Sequence, residues 1–151
     1  MLTQGNLLYF TPYYFQDGNP CKNKYFIVLG EAGDDLIIAS LPTSKDKIPD
    51  YIEKQHGCID HPDIDFNCYF FKEGVSISET GYSFPVDTYM YGERITTASK
   101  KIMHDIYRKE GKEYEIKCRL SKREFSSIIR CLKNSKSVKN RIRRLLNDVE
   151  I

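Results

Sequence analysis

The sequence predicts a β-dominated α+β domain, a small twisted sheet or partly closed barrel with helices at its C-terminal end. Three observations lead there. Short aromatic and β-branched runs, punctuated by Gly and Pro, recur through the first two thirds of the chain. Residues 113–120 alternate strictly, with Tyr114, Ile116, Cys118 and Leu120 facing one way and Glu113, Glu115, Lys117 and Arg119 the other. Ser121-Lys-Arg-Glu124 then reads as a capping box, opening a helix with Phe125, Ile128, Ile129 and Leu132 at i, i+3, i+4 and i+7. Short strands followed by terminal amphipathic helices fit a sheet covered by helices.

Taken in order, residues 6–10 (NLLYF) and 24–29 (KYFIVL) are the first strands, separated by a loop with Pro12, Gly18 and Pro20. Residues 30–35 (GEAGDD) form a turn into a third strand at 36–41, so strands two and three make a hairpin. Residues 46–66, with Pro49, Pro62 and several acids, read as irregular. Residues 67–71 (NCYFF) and 75–77 form another expected hairpin around Lys72-Glu73-Gly74, and 85–91 (PVDTYMY) a strand with Pro85 at its start. A short helix is expected over 96–109, with Ile102, Met103 and Ile106 on one face. A break at 134–137 precedes a last helix from about Val138, with Ile142, Leu145, Leu146 and Val149 on its apolar side.

The 151 residues suit one domain, 1–151. Residues 1–120 are read as the barrel-like sheet, with a loop insertion at 53–66, and 121–151 as the C-terminal amphipathic helices. No apolar run approaches the length of a membrane span, and the first residues lack a basic, cleavable leader pattern, so no membrane association is expected. Five cysteines, Cys21, Cys58, Cys68, Cys118 and Cys131, form an odd set without a CxxC pair. That pattern predicts reduced thiols and a cytoplasmic location.

Charge is uneven. The net value of +2 hides six bases between Lys133 and Arg144, followed only by Asp148 and Glu150. The preceding residues hold 17 bases against 19 acids. A basic terminal helix on a slightly acidic body points to a polyanion or an acidic protein as partner.

The chemistry-bearing stretch is ASLPTSKDKIP, residues 39–49. It puts two hydroxyls and an ammonium where an apolar strand ends, a donor-rich loop able to hold a phosphate. A second constellation, His56, Cys58, His61 and Cys68, has residue types suited to zinc but not a standard finger or ribbon spacing, so no metal is assigned. His104 is read as a surface or packing residue.

The chain resembles the MazF/PemK/Kid family of toxin endoribonucleases. Gly5-Asn6-Leu7-Leu8 looks like the family's opening strand, and residues 24–29 its second, usually Arg-Pro followed by aliphatics. Residues 39–44 are similar to the strand that ends in Pro-Ile/Val-Thr-Ser, and Lys47-Ile48-Pro49 to the Lys-Ile-Pro that follows in some members. Thr80-Gly81 followed by Asp87 matches a Thr-Gly-x-x-Arg-x-Asp segment loosely. The resemblance implies an SH3-like barrel with a C-terminal helix and a homodimer neutralised by an antitoxin protein. It also implies cleavage of single-stranded RNA without metal or cofactor, by attack of the ribose 2′-OH on the adjacent phosphate. By position, Lys24 is the cationic acid or phosphorane stabiliser, Thr43 a hydroxyl hydrogen-bond donor to the phosphate with Ser44 beside it, and Asp87 a base or orienting group, with Thr88 an outside candidate. Tyr13, Tyr14, Lys45 and Tyr89 are the candidate RNA contacts, through base stacking and charge.

The departures are specific. The family's Arg-Pro is Lys24-Tyr25 here, and its second arginine falls at Phe84 or Pro85. The 53–66 insertion and the basic last helix have no counterpart. Lysine keeps the charge but loses the bidentate fork. The alternative expectation is therefore a non-catalytic barrel module that binds protein or nucleic acid.

Overall fold

The computed structural model describes residues 2–15, 17–41 and 45–151. Among these residues the strands are β1 (Asn6–Tyr13), β2 (Lys22–Ala32), β3 (Asp35–Leu41), β4 (Gly57–His61), β5 (Phe66–Phe71), β6 (Thr88–Tyr91), β7 (Ile95–Ser99) and β8 (Tyr114–Arg119). The helices are α1 (Lys100–Ile106), α2 (Lys122–Lys133) and α3 (Asn140–Asn147). Every strand pairing is antiparallel. One sheet has five strands in the order β7-β3-β2-β1-β8, the other three in the order β4-β5-β6. The class is mixed α+β and β-dominated, as expected, and the described strands do not close into a barrel.

Successive side chains of a strand point to opposite faces, and the five-stranded sheet is covered on both. Leu7, Ile27, Leu29, Ile37 and Ala39 turn toward the largest core, where they meet Tyr69, Phe71 and Met90 of the smaller sheet and Phe125, Ile128, Ile129 and Leu132 of α2. Leu8, Phe10, Phe26, Val28, Leu36 and Ile38 turn the other way, onto Met103 of α1 and Tyr107. This two-sided burial explains the near-continuous apolar runs in β2 and β3. Each fully buried aliphatic of this kind is worth about 1.5–3 kcal/mol. The outer face of the small sheet makes a third core, in which Ile48 and Ile52 cover Cys68, Phe70, Tyr89 and Tyr91.

Several expectations give way to tertiary context. Residues 95–99 form β7 rather than the start of a helix, because Ile95-Thr96-Thr97 is β-branched and the free edge of β3 pairs with it from Asp35–Ser99 to Ala39–Ile95. The helix starts only at Lys100, capped by the Ser99 hydroxyl, which accepts from Ile102 N. Met103 is buried, whereas Ile102 and Ile106 stay exposed.

Residues 75–77 are no strand, since the turn after β5 closes on itself through Val75 N to Lys72 O, and β5 pairs with β4 and β6 instead. The 53–66 stretch is not simply a loop. It holds β4, an edge strand that buries only Ile59 and so leaves no period-two signal. The alternation in β8 is broken by a bulge, where Leu7 faces Cys118 but Leu8 faces Ile116. The extra residue flips the face, so Cys118 joins the main core while Tyr114 packs with the second core and Ile116 is exposed.

The thiol reading is also corrected. Cys58 on β4 and Cys131 on α2 form a disulfide, 73 residues apart in sequence but with Cα atoms 5.5 Å apart. Only the packing of β4 against α2 brings the pair within bridging distance. Cys21, Cys68 and Cys118 are free. Among the described residues no helix is long and apolar enough to cross a membrane.

Both terminal helices form where their apolar patterns place them. Ser121 caps α2 by accepting from Glu124 N, as the capping box requires. α3 buries Ile142 and Leu146, and Val149 beyond it packs on β2 at Gly30, where a Cβ would lie 2.6 Å from Val149 Cγ2.

Candidate functional site

Lys24 lies in the first turns of β2, opposite Phe10 of β1, on the sheet face that carries Phe26 and Val28. It is half-buried. Burial, together with the charges of Lys22, Arg94 and Lys45, brings its ammonium down from 10.5 to about 8. The charges acting on Lys24 are all positive. None of Lys22, Lys24, Lys45 and Arg94 takes part in an ion pair among the described residues.

Three elements converge to make this cluster. Arg94 ends the 3₁₀ turn Gly92–Arg94, just before β7 pairs with β3. Gly92 is required there, because any Cβ would run into Asn67 Oδ1 and the Val138 side chain. Lys45 opens the segment after β3. That segment is pinned by the Tyr91 hydroxyl, which donates to Lys45 O and accepts from Lys47 N at 2.7 Å. Nearby acids are already engaged. Asp46 pairs with Lys54 and accepts from Ile48 N at 2.9 Å, and Glu93 lies 3.4 Å from Lys47. The lysine and arginine groups are thus left without carboxylate partners.

Beside the cluster runs a groove of about 250 Å³, lined by Tyr13, Phe15, Asp17, Phe26, Ser40 and Thr96, among others; the Asp17 carboxylate accepts from Asn19 N and Nδ2. Lys22 Nζ sits 5.8 Å from the Phe15 ring centroid, joining the cations to this aromatic floor. Tyr13 is half-buried, 4.5 Å from Phe26 and stacked at 5.8 Å on Tyr107. Tyr14 is half-exposed, and its backbone N–H donates to the Tyr107 hydroxyl at 2.9 Å. Both tyrosines therefore combine a packed edge with an accessible one.

The other expected residues are placed differently. Thr43 and Ser44 lie outside the described residues. Asp87 accepts from Glu73 N at 2.9 Å and so ties the turn after β5. Thr88 is fully buried and donates to Val86 O. Tyr89 is buried between Phe70 and Tyr91, with Lys54 over its ring, so its faces are already occupied. Phe84, where the family's second arginine would fall, is a core residue. His104 is exposed.

Arg94 was missed because its relation to Lys24 exists only across strands. A second group was missed for the same reason. The cavity between β4 and α2, about 680 Å³, contains His56, Tyr69, Glu124, Arg123, Arg130 and the disulfide. His56 Nε2 pairs with Glu124 Oε1, His56 Nδ1 accepts from Lys72 N at 3.1 Å, and Tyr69 donates its hydroxyl to Glu124 Oε2 at 3.0 Å. Burial, then Glu124, pushes the Tyr69 phenol well above its ordinary value. The four residues considered for zinc do not come together, and no group of three or more metal-ligating side chains forms among the described residues. No family model, curated protein or solved structure matches this chain.

Proposed function

We propose that this chain is a toxin-like, metal-independent endoribonuclease acting on single-stranded RNA, with an SH3-like arrangement of the MazF/PemK type. The observation that carries the reading is the action of Lys22, Lys45 and Arg94 on Lys24, none of the four ion-paired among the described residues, beside an aromatic groove. Concentrated like charge is costly unless an anion shares it, and a phosphate flanked by bases fits such a surface. In the proposed reaction the ribose 2′-OH gives its proton to water and attacks the adjacent phosphorus, the 5′-oxygen leaves with a proton from the Lys24 ammonium, and a 2′,3′-cyclic phosphate remains.

Each group has a chemical task. Arg94 offers a planar guanidinium that never loses its charge and can hold two phosphorane oxygens. A lysine titrating near 8 is a far better proton donor at neutral pH than an unperturbed one, and while charged it stabilises the phosphorane. Tyr13 and Tyr14 offer ring edges and faces to the flanking bases. Thr43 and Ser44 add hydroxyl donors if the resemblance carries that far. An antitoxin covering this surface, and a second copy of the chain completing it, belong to the same reading.

The test is incubation with a long single-stranded RNA in EDTA. Discrete fragments ending in cyclic phosphate, lost with Lys24→Ala and with Arg94→Ala, are expected. Intact RNA at high protein concentration, or full cleavage by Lys24→Ala, overturns the proposal. The first result would favour the non-catalytic binding module.

A further inference from the structure

The terminal helices hold a second group of cations, separate from the cluster at Lys24. α3 places Asn140, Arg143, Arg144 and Asn147 at i, i+3, i+4 and i+7, one side of the helix. The opposite side buries Ile142 and Leu146, which fixes the helix rotation. Lys133, the last residue of α2, faces the polar side across a cleft of about 260 Å³. Lys133, Asn140, Arg143, Arg144 and Asn147 line that cleft, and none of them is an acid. None of the three cations takes part in an ion pair among the described residues.

Arg143 is built in rather than waving in solvent. Its Nη2 donates to Asn140 Oδ1, so the guanidinium is held in one orientation. Its Nε is buried and has no hydrogen-bond acceptor among the described residues. An N–H left in that condition destabilises the fold until an acceptor reaches it. Asn140 gives its acceptor to Arg143, which leaves its amide hydrogens as donors. Three positive charges, an orphaned N–H and amide donors around one small cleft all call for the same thing, a multiply charged oxyanion.

We propose that the cleft between the end of α2 and α3 is a phosphate-binding site, with Arg143 as its fixed donor and Lys133 and Arg144 closing on the remaining oxygens. A guanidinium matches two phosphate oxygens at once, and lysine adds a point charge to a third. The phosphate can belong to an RNA backbone or be free in solution, and the two sources are separable by experiment.

The Nε–H resonance of Arg143 is followed by NMR in the wild-type chain, with inorganic phosphate, with acetate at matched ionic strength, and with a short 2′-O-methyl RNA. The methylated strand cannot be cut, so the result does not depend on the cleavage proposed above, and Lys24→Ala is expected to leave it unchanged. A shift with phosphate but not acetate is expected. If the RNA also shifts it, and the K133Q/R143Q/R144Q variant lowers the salt slope of RNA binding by about 0.7, the value for one lost phosphate contact, the source is a backbone phosphate. A shift with phosphate alone assigns the site to free phosphate. No shift with either, or an equal shift with acetate, overturns the proposal. Because the NMR readout uses the unaltered chain, it stands even where the triple variant fails to fold.

Discussion

The Lys24 cluster and the cavity beside α2 contain the same kinds of groups and treat them in opposite ways. In the cavity, Glu124 receives His56 and Tyr69, and the second nitrogen of His56 is held by a backbone N–H. Arg123 and Arg130 line the same wall. At Lys24, the charges of Lys22, Arg94 and Lys45 act on one ammonium, none of the four takes part in an ion pair among the described residues, and Asp46 and Glu93 are held in other pairs. A satisfied buried network rigidifies the fold. An unsatisfied cluster of one sign stores repulsion that a ligand can relieve. The difference teaches that cavity size and unbalanced charge are separate properties of this molecule.

The largest effect that tests this contrast is on cleavage. Lys24→Ala is expected to lower the RNA cleavage rate by about 10³-fold, in the range for a lost acid or oxyanion donor, while the protein stays folded. Removing the disulfide by Cys58→Ala with Cys131→Ala comes next. It releases a 73-residue separation and is expected to cost about 3 kcal/mol in urea unfolding, while cleavage by the folded protein persists. Glu124→Ala orphans the Tyr69 hydroxyl and the His56 N–H together, for a loss of about 2 kcal/mol. If Glu124→Ala instead abolished cleavage while the protein stayed folded, the two regions would have to exchange roles.

Smaller effects come from titration. The folded pKa of Lys24 is depressed below its unfolded value, so between about 8 and 10.5 the unfolded chain binds more protons. Stability contributed by Lys24 therefore rises with pH across that window, and below it the charged, half-buried ammonium is a cost. Wild type minus Lys24→Met, measured by urea unfolding from neutral to alkaline pH, is expected to show this rise. Cleavage runs the other way, declining as pH passes about 8 and the ammonium is lost. Lys24→Arg cannot lose its charge there, and is expected to raise the rate and remove the decline. A rate equal to or below wild type would show that the proton, not the charge, matters at this position.

Local patterns were legible wherever a single element satisfied them. The hairpin of β2 and β3 follows from two apolar runs and the GEAGDD turn, and α2 from its capping box and apolar periodicity. The failures share a cause. β4 buries one side chain and β7 replaces a helical reading because a neighbouring edge needed a partner. At the site, Lys24 was visible from the resemblance of the second strand and Lys45 from the 39–49 stretch. Arg94 was not, because it is distant in sequence and reaches Lys24 only where β2, β3 and β7 lie side by side.

By itself the sequence determined the class of fold, the hairpin, the amphipathic helices and the concentration of bases near the end, because each is set by near neighbours along the chain. Tertiary structure alone decided which cations meet, that Cys58 meets Cys131, and that the β8 bulge sends Cys118 and Tyr114 to opposite cores. Those outcomes depend on register and on packing between remote elements, where a shift of one residue exchanges the two faces of a strand.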